Sequence, residues 1–556
     1  MGYIKYFLVS AVLGGFVFTY NDGTNISNAP GCSCSSDFTQ HSVAVDSRNR
    51  VHIVWLSDEI SDTTSKLLNT YKAKFLTKNI NLLKNKDGNS LCRLFYNRSL
   101  EMGKTFIDTT GDTTKLTGLS LSYRRSLDGG ATFDSVLRLA DTIYSPPTIS
   151  TNNLDAVHIF YTKYAENYHI HYLRSADGGS VWEDTVLYES DSTSSLGGVC
   201  MDVSGDNVVH SIWRKTISDT INFIYTHSFN SGLQWSTPVE NLVTTPDISI
   251  TLGEPGDALI PSYAPCPAIS SFDNFVHLVW QDSRDDSSGE IYYKRSMDSG
   301  QVWSSDSRLT TDSAYSICPT VASSGNSVYI GWLQKEKQDS GFSYYIKHSA
   351  DGGTSWDSSV CLVPETENLL SIFGTPQVNT RDNFVTVIYG VAEYDSSEGR
   401  DIAKTHLKYS NDNGLIWNSI TFGAQGCVAY CPSATIDNSG NSHIVWTGGI
   451  YQLNTRDIYY AKVSLIAVEE NSNIKYQNVK MKIIKNKIFL SVPNDYCPNT
   501  LITIYDLSGR PKETLYSGTL TKGDYTFTPN IHKSGIYFVR LNAGNFAETK
   551  KLILIK

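Results

Sequence analysis

Short, largely apolar runs of about five residues, separated by polar turns, recur along most of the chain, the length of buried β-strands. Val276-His277-Leu278-Val279-Trp280 and Val328-Tyr329-Ile330-Gly331-Trp332 are such runs, each closing on a tryptophan. A polar turn follows each one, then a run of the type Ile291-Tyr292-Tyr293-Lys294-Arg295 or Tyr344-Tyr345-Ile346-Lys347-His348. No segment of useful length carries the 3.6-residue period of an amphipathic helix. The pattern predicts an all-β chain.

Each of these later runs leads into one recurring box, clearest in Ser349-Ala350-Asp351-Gly352-Gly353-Thr354-Ser355-Trp356. Read as Ser-x-Asp-x-Gly-x-x-Trp, it returns as Ser175, Asp177, Gly179 and Trp182, as Ser296, Asp298, Gly300 and Trp303, and as Ser410, Asp412, Gly414 and Trp417. Phe133 replaces the tryptophan after Ser126, Asp128 and Gly130; Asn230 replaces the aspartate between Ser228 and Trp235; Glu101 stands there in a looser copy from Ser99 to Phe106. Asp and Ser side chains hydrogen-bond nearby backbone N–H groups and Gly supplies a positive φ. The box therefore predicts a self-fastened hairpin whose aromatic anchors the returning strand to the layer beneath. Its residues read as structural.

One period holds about four antiparallel strands, a propeller blade. Units begin near residues 41, 147, 198, 266, 318, 375 and 431, which predicts seven blades, with six as the alternative. The last unit, Cys431 to Val463, has no box, and the N-terminal segment is expected to supply its missing outer strand and remove the sheet edges. Residues 56–120 are irregular. The boxes at Ser99 and Ser126 stand too close for a full blade, which needs about 40 residues, so one of them belongs to an incomplete blade or an insertion.

After about residue 466 the charge changes sign. Residues 471–556 carry 13 Lys plus Arg against 5 Asp plus Glu, or +8, so the rest of the 556-residue chain carries −18 of the net −10. Short strands with turn signals continue there, Leu501 to Tyr505, Tyr525 to Thr528, Ile536 to Leu541 and Lys551 to Ile555, and predict a small immunoglobulin-like β-sandwich over 467–556. At the other end, Lys5 precedes an apolar run, Tyr6 to Tyr20, that reads as an export signal within 1–22. The propeller is placed at 30–466, and no transmembrane segment is expected in the mature chain.

Candidate chemistry is sparse. Ligands of propellers usually meet the loops opposite the boxes, and Asp282-Ser283-Arg284-Asp285-Asp286 with Glu290 is the best polar constellation there. Arg456 with Asp457, and Arg400 with Asp401, occupy comparable places. Each of these has a bland alternative, an Arg–carboxylate pair holding one loop. Cys266, Cys318 and Cys431 stand 14 or 15 residues before a strand-ending tryptophan, each followed by Pro, and read as small buried side chains of inner strands rather than a metal site. His169 and His171 face one side of a strand but lack a third ligand in view. No metal and no cofactor are expected, and the acidic balance argues against nucleic acid.

Two resemblances can be drawn. The boxes and the strands before them, over 41–463, resemble the Asp-box (BNR) repeats of the sialidase superfamily of β-propellers. The tail resembles the C-terminal sorting domain of the type IX secretion system, through Ile504-Tyr505-Asp506-Leu507-Ser508-Gly509-Arg510, Gly535-Ile536-Tyr537-Phe538-Val539-Arg540-Leu541 and the closing Lys550-Lys551-Leu552-Ile553-Leu554-Ile555-Lys556. The second implies export by that machinery to the medium or the outer-membrane surface. The first implies, for an active enzyme, three arginines on the substrate carboxylate, a tyrosine nucleophile with a glutamate partner, an aspartate acid/base and an early Arg-Ile-Pro segment. No such segment precedes residue 146, and the only Arg-Pro is Arg510-Pro511. The expectation is therefore a surface propeller that binds an extracellular glycan or protein, and the alternative is a diverged exo-sialidase-like glycoside hydrolase.

Overall fold

In a computed structural model of the protein, four-stranded antiparallel sheets follow one another along the chain, and their innermost strands pack side by side in a closed ring. The structure describes residues 41–57, 119–246, 266–285, 289–336, 341–367, 376–395, 400–423, 427–450 and 457–465, with short pieces at 20–21, 24–27, 33–34, 105–107, 113–115, 250–251, 262–263 and 369. In the tail it describes 480–484, 487–492, 497–506, 510–520, 523–543 and 546–554. The chain divides into two compact units, Met1–Ile466 and Ala467–Lys556.

Seven blades can be counted among the described residues, as the repeat spacing predicts. The innermost strands are Val43–Val45, the distal half of Leu137–Thr151, Ser194–Ser204, Pro267–Phe272, Tyr315–Ser324, Gln377–Arg381 and Cys427–Ile436. Second strands carry the large fully buried side chains Trp55, Trp213, Trp280, Trp332 and Trp446. Buried apolar clusters lie between consecutive sheets, one joining Trp280 of blade four to Phe223 of blade three and another joining Trp446 of blade seven to Phe422 of blade six. Burial on both faces of each blade explains runs that are nearly continuous in apolar residues.

The seventh blade is finished by the N-terminal segment. Thr24–Asn25 pairs antiparallel with Tyr459 and Tyr460, Ile26 N–H donates to Ile458 O at 2.8 Å, and Ser27 Oγ reaches Asp457 at 2.7 Å. The expected closure is thus present. Tyr20–Asn21 runs parallel beside the outer strand Asn418–Phe422 of blade six.

The first blade agrees with the insertion alternative and adds a shared strand that the spacing did not predict. Val51–Ser57 pairs directly with Leu119–Ser126, Ser57 opposite Ser120, so the chain between them is an insertion and the box at Ser126 belongs to blade one. The box from Ser99 to Phe106 lies almost wholly outside the described residues. Leu137–Thr151 serves both as outer strand of blade one and as inner strand of blade two. Pro146 and Pro147 fall where it changes partners and the ladder slips register, so their missing N–H groups break no regular pairing.

In the tail unit, Lys480–Ile484, Lys487–Val492 and Gly523–Phe527 form one sheet, and Pro511–Leu520, Cys497–Tyr505, Gly535–Ala543 and Phe546–Leu554 form the other. Met481, Ile488, Leu490, Ile502, Ile504, Val539, Leu541 and Leu552 are buried together in one core. Lys487–Val492 alternates exposed and buried positions, as a strand with one face on a core must.

Candidate functional site

The boxes join the third and fourth strands, so they and the turns between second and third strands stand at opposite ends of the sheets. Each box follows one geometry. Gly N–H donates to the Ser hydroxyl at 2.7 to 2.9 Å in all six, as in Gly179 to Ser175 and Gly414 to Ser410. The hydroxyl donates on to the Asp or Asn side chain, which accepts the N–H four residues after it, as in Ile416 to Asp412 at 2.9 Å. Hydrogen bonds from Thr132 hold Asp128 down at about 2, and those from Ser355 hold Asp351 lower still.

The box aromatics anchor something other than their own sheet. Trp182 packs edge-on against Tyr123 of the preceding blade at 4.9 Å, Trp235 against Tyr172, Trp303 against Tyr225, Trp356 against Tyr293 and Phe133 against Tyr460. Each of these tyrosines also lies over the box glycine of the same neighbour. A Cβ on Gly300 would stand 1.8 Å from the Tyr225 hydroxyl, and Gly130, Gly179, Gly232 and Gly353 meet theirs equally closely. A histidine on the adjacent second strand fixes every hydroxyl: His52 to Tyr123, His158 to Tyr172, His210 to Tyr225, His277 to Tyr293 and His443 to Tyr460, at 2.7 to 2.8 Å. Cations complete the interface. Arg125 and Arg174 donate at 2.7 Å to the box carbonyls of Gly178 and Ser231 in the next blade, while Lys294 and Lys408 donate backwards to Leu242 and Leu362. The boxes are sockets between blades.

At the opposite end, the described residues of the predicted constellation in blade four fall into two bonded groups, one around Asp282 and Arg284 and one around Glu290, while Asp286 lies outside the described residues. Asp282 closes the strand Phe275–Asp282 and is buried. It accepts from Trp280 Nε1 at 2.9 Å, from Thr245 Oγ1 of blade three at 2.7 Å, and from Arg284 Nη2 at 2.5 Å. Arg284 also meets Asp306 at 2.8 Å and lies 5.1 Å over the Tyr292 ring. Asp285 accepts the Tyr292 hydroxyl. Glu290 is fully buried against Arg308 Nη2 at 2.5 Å and the Thr310 hydroxyl. Burial pushes Glu290 up although Thr310 and Arg308 oppose it, and burial followed by Asp285 pushes the Tyr292 phenol up.

The other predicted residues disperse. Asp457 is half-buried and accepts the Ser27 hydroxyl in the closing strand pair, while Arg456 lies outside the described residues. Arg400 opens the third strand of blade six opposite Asp395, and its side chain also lies outside them. His171 meets Asp184 at 3.1 Å and His169 meets Glu189 at 3.4 Å; among the described residues no group of three side chains is placed to hold a metal. Cys318 and Cys431 sit buried where inner strands bulge, both at positive φ, +52° and +49°.

Two features escaped the sequence reading. Tyr389 donates to Glu367 at 2.9 Å, a phenol–carboxylate pair that Lys408 completes, also at 2.9 Å. Burial and then the Glu367 charge push that phenol far up, the reverse of an activated nucleophile. Tyr144, Tyr164 and Tyr168 cluster at the turn between the second and third strands of blade two, and the aromatics at both ends of Tyr164-Ala165-Glu166-Asn167-Tyr168 were the available signal. An open cleft of about 250 Å³ lies at the box end, between Tyr123, Arg125, Asp134 and Gly179, and its walls are residues of the interblade sockets.

No protein-family model matches the chain, and no curated protein matches it. Among solved structures it is similar to a Dyadobacter fermentans protein of unknown function, at 13% identity over 57% of this chain and 93% of that one, with a TM-score of 0.40. It is also similar to an ulvan lyase of polysaccharide lyase family 25, at 8% identity over 78% and 96%, TM-score 0.40. A third is the Trypanosoma rangeli sialidase bound to the inhibitor DANA, at 11% identity over 73% and 83%, TM-score 0.38.

Proposed function

We propose that this protein is an exported β-propeller that binds an extracellular glycan or protein on the end of the ring formed by the turns between second and third strands. The observation that carries the reading is the state of Arg284 and Arg308. Each guanidinium is already bound to a buried carboxylate, whereas a reaction on an acidic sugar requires donors directed at the substrate carboxylate. Among the described residues, the phenols that donate to carboxylates, Tyr161, Tyr188, Tyr292 and Tyr389, are all pushed up by burial, away from an ionised nucleophile. Such a surface suits recognition better than turnover.

Export is part of the same reading. It is supported by the apolar run after Lys5 and by the three tail motifs quoted above, so residues 467–556 would address the chain to type IX secretion and leave it released or on the outer-membrane surface. Removal of 467–556 should retain the protein inside the cell, read by fractionation. Glycan-array and pull-down screens of the full chain test binding, and silence in both would sink that part. Turnover of a fluorogenic sialoside that is lost on R284A or R456A would replace the reading with the hydrolase.

A further inference from the structure

We infer that the turn between the second and third strands of blade two is a shelf for neutral pyranose glycans, an assignment that rests on the binding reading above. Tyr164 ends the strand Val157–Tyr164, Tyr168 opens Tyr168–Ser175, and the two are direct cross-strand partners with ring centres 4.8 Å apart. Tyr144, from the strand shared by blades one and two, meets Tyr168 edge-on at 4.7 Å and 77°, and lies 6.3 Å from Tyr164. All three rings are only half-buried. The edge-on aromatic pairs of the sockets lie between blades; here three tyrosines stand together at a hairpin tip.

A pyranose presents polarised C–H groups on one face and hydroxyls at its edge. The faces of aromatic rings are electron-rich and take the first, and convergent polar groups fix the second. Glu166, exposed, and Asn167 occupy the turn itself, and Asn167 Nδ2 donates to Glu189 at 3.2 Å. Ser190 and Asp191 follow directly, with Ser190 N–H bound to Tyr168 O at 2.8 Å. The carboxylates of Glu166 and Asp191 accept hydrogen bonds from hydroxyls and repel carboxylated or sulfated sugars, while Glu189 is the cross-strand partner of His169. The cation on that side, Lys215, is engaged by the Tyr188 hydroxyl at 3.0 Å and by Asp191 and Glu240. Lys163 and His169, cross-strand partners of each other, share the opposite side of the hairpin. The surroundings therefore select a neutral glycan.

The test uses the full chain in calorimetric titration with cellohexaose, xylohexaose and mannohexaose, and with sialyllactose and an oligogalacturonate as anionic probes. At least one neutral hexaose should bind, Y164A should weaken it by about tenfold or more, the scale of truncating an aromatic anchor, and Y164F should preserve it. Y144A provides a second truncation, and unchanged melting of each variant keeps the comparison on binding. Neutral binding that survives both truncations overturns the shelf while leaving the binding reading intact. Binding of only the anionic probes overturns the selectivity. No binding of any of the five overturns this inference and leaves a protein ligand to the pull-down.

Discussion

Tyr460 of the seventh blade lies over Gly130 of the first so closely that a Cβ there would stand 1.8 Å from its hydroxyl oxygen. Beside them Lys462 donates to Gly129 O across 333 residues of sequence. The contact that joins neighbouring blades elsewhere is thus repeated where the ring closes, although the seventh blade has no box of its own.

The glycine contact predicts a specific loss. Gly300→Ala places a methyl group into the Tyr225 hydroxyl at a φ of +85°, which combines overpacking with left-handed strain and should cost about 2–4 kcal/mol. Gly205→Ala, at φ +60° with nothing within 4 Å of its Cβ, carries the strain alone and should cost less. Denaturant melts of the two variants separate the terms, and equal losses would remove the contact from the account.

Acid should loosen the ring. Burial lowers His158, His210 and His277 to about 3 from the ordinary 6.5. A depressed histidine means that the unfolded chain binds the extra protons, so their contribution is complete above pH 6.5 and declines as pH falls from there toward 3. His277→Asn keeps an acceptor for the Tyr293 hydroxyl and removes one titration. Its stability should fall less steeply between pH 6.5 and 4 than that of the parent, and an unchanged slope in chemical denaturation would contradict the linkage.

His52 and His443 differ in having a carboxylate on the other ring nitrogen, Asp46 at 3.1 Å and Asp437 at 3.0 Å. Removing it as Asp437→Asn should sharpen the acid sensitivity of the Tyr460 contact. Amide exchange along Asp457–Ser464 at pH 5 is the measurement, and faster exchange in the variant than in the parent is the expected result.

Arg284→Ala should act as a structural change. It leaves the buried Asp282 with Trp280, Thr245 and the backbone N–H of residue 284 but without its guanidinium partner. A loss of about 1–3 kcal/mol follows, less than for a fully enclosed pair because Arg284 is one-third exposed. Glycan affinity at blade two should stay unchanged in titration.

Ser27→Ala should weaken the strand pair that closes blade seven. The hydroxyl donates to Asp457 at 2.7 Å and accepts Ile458 N–H at 3.0 Å, so its loss should cost about 1–2 kcal/mol and be seen first as faster amide exchange at Asp457–Ser464.

The blades were legible because each repeats the same local grammar: an apolar run ending in tryptophan, a tyrosine-rich run, then a box whose hydrogen bonds close within four residues. What the box aromatics touch was not legible, because Trp303 and Tyr225 belong to different blades and no local pattern pairs them. The polar constellation was visible as a charge cluster at Asp282 to Glu290, and the pairing of Arg284 with Asp282 inside one loop was among its readings, but the further partners, Asp306 on Arg284 and Thr245 on Asp282, are distant in sequence. The tyrosine shelf was hidden for the same reason: Tyr144 reaches Tyr164 and Tyr168 only through the strand that two blades share.

The strand Thr24–Asn25 has a consequence for the order of events in folding. The strand that clasps the seventh blade leaves the ribosome early, yet it can find its place only late, since its partners are Tyr459 and Tyr460. Six sheets can assemble while that clasp hangs open, and joining such distant pieces is intrinsically slow. A chain halted before Asp457 would carry an unfinished wheel with a bare sheet edge, prone to pair with a stranger.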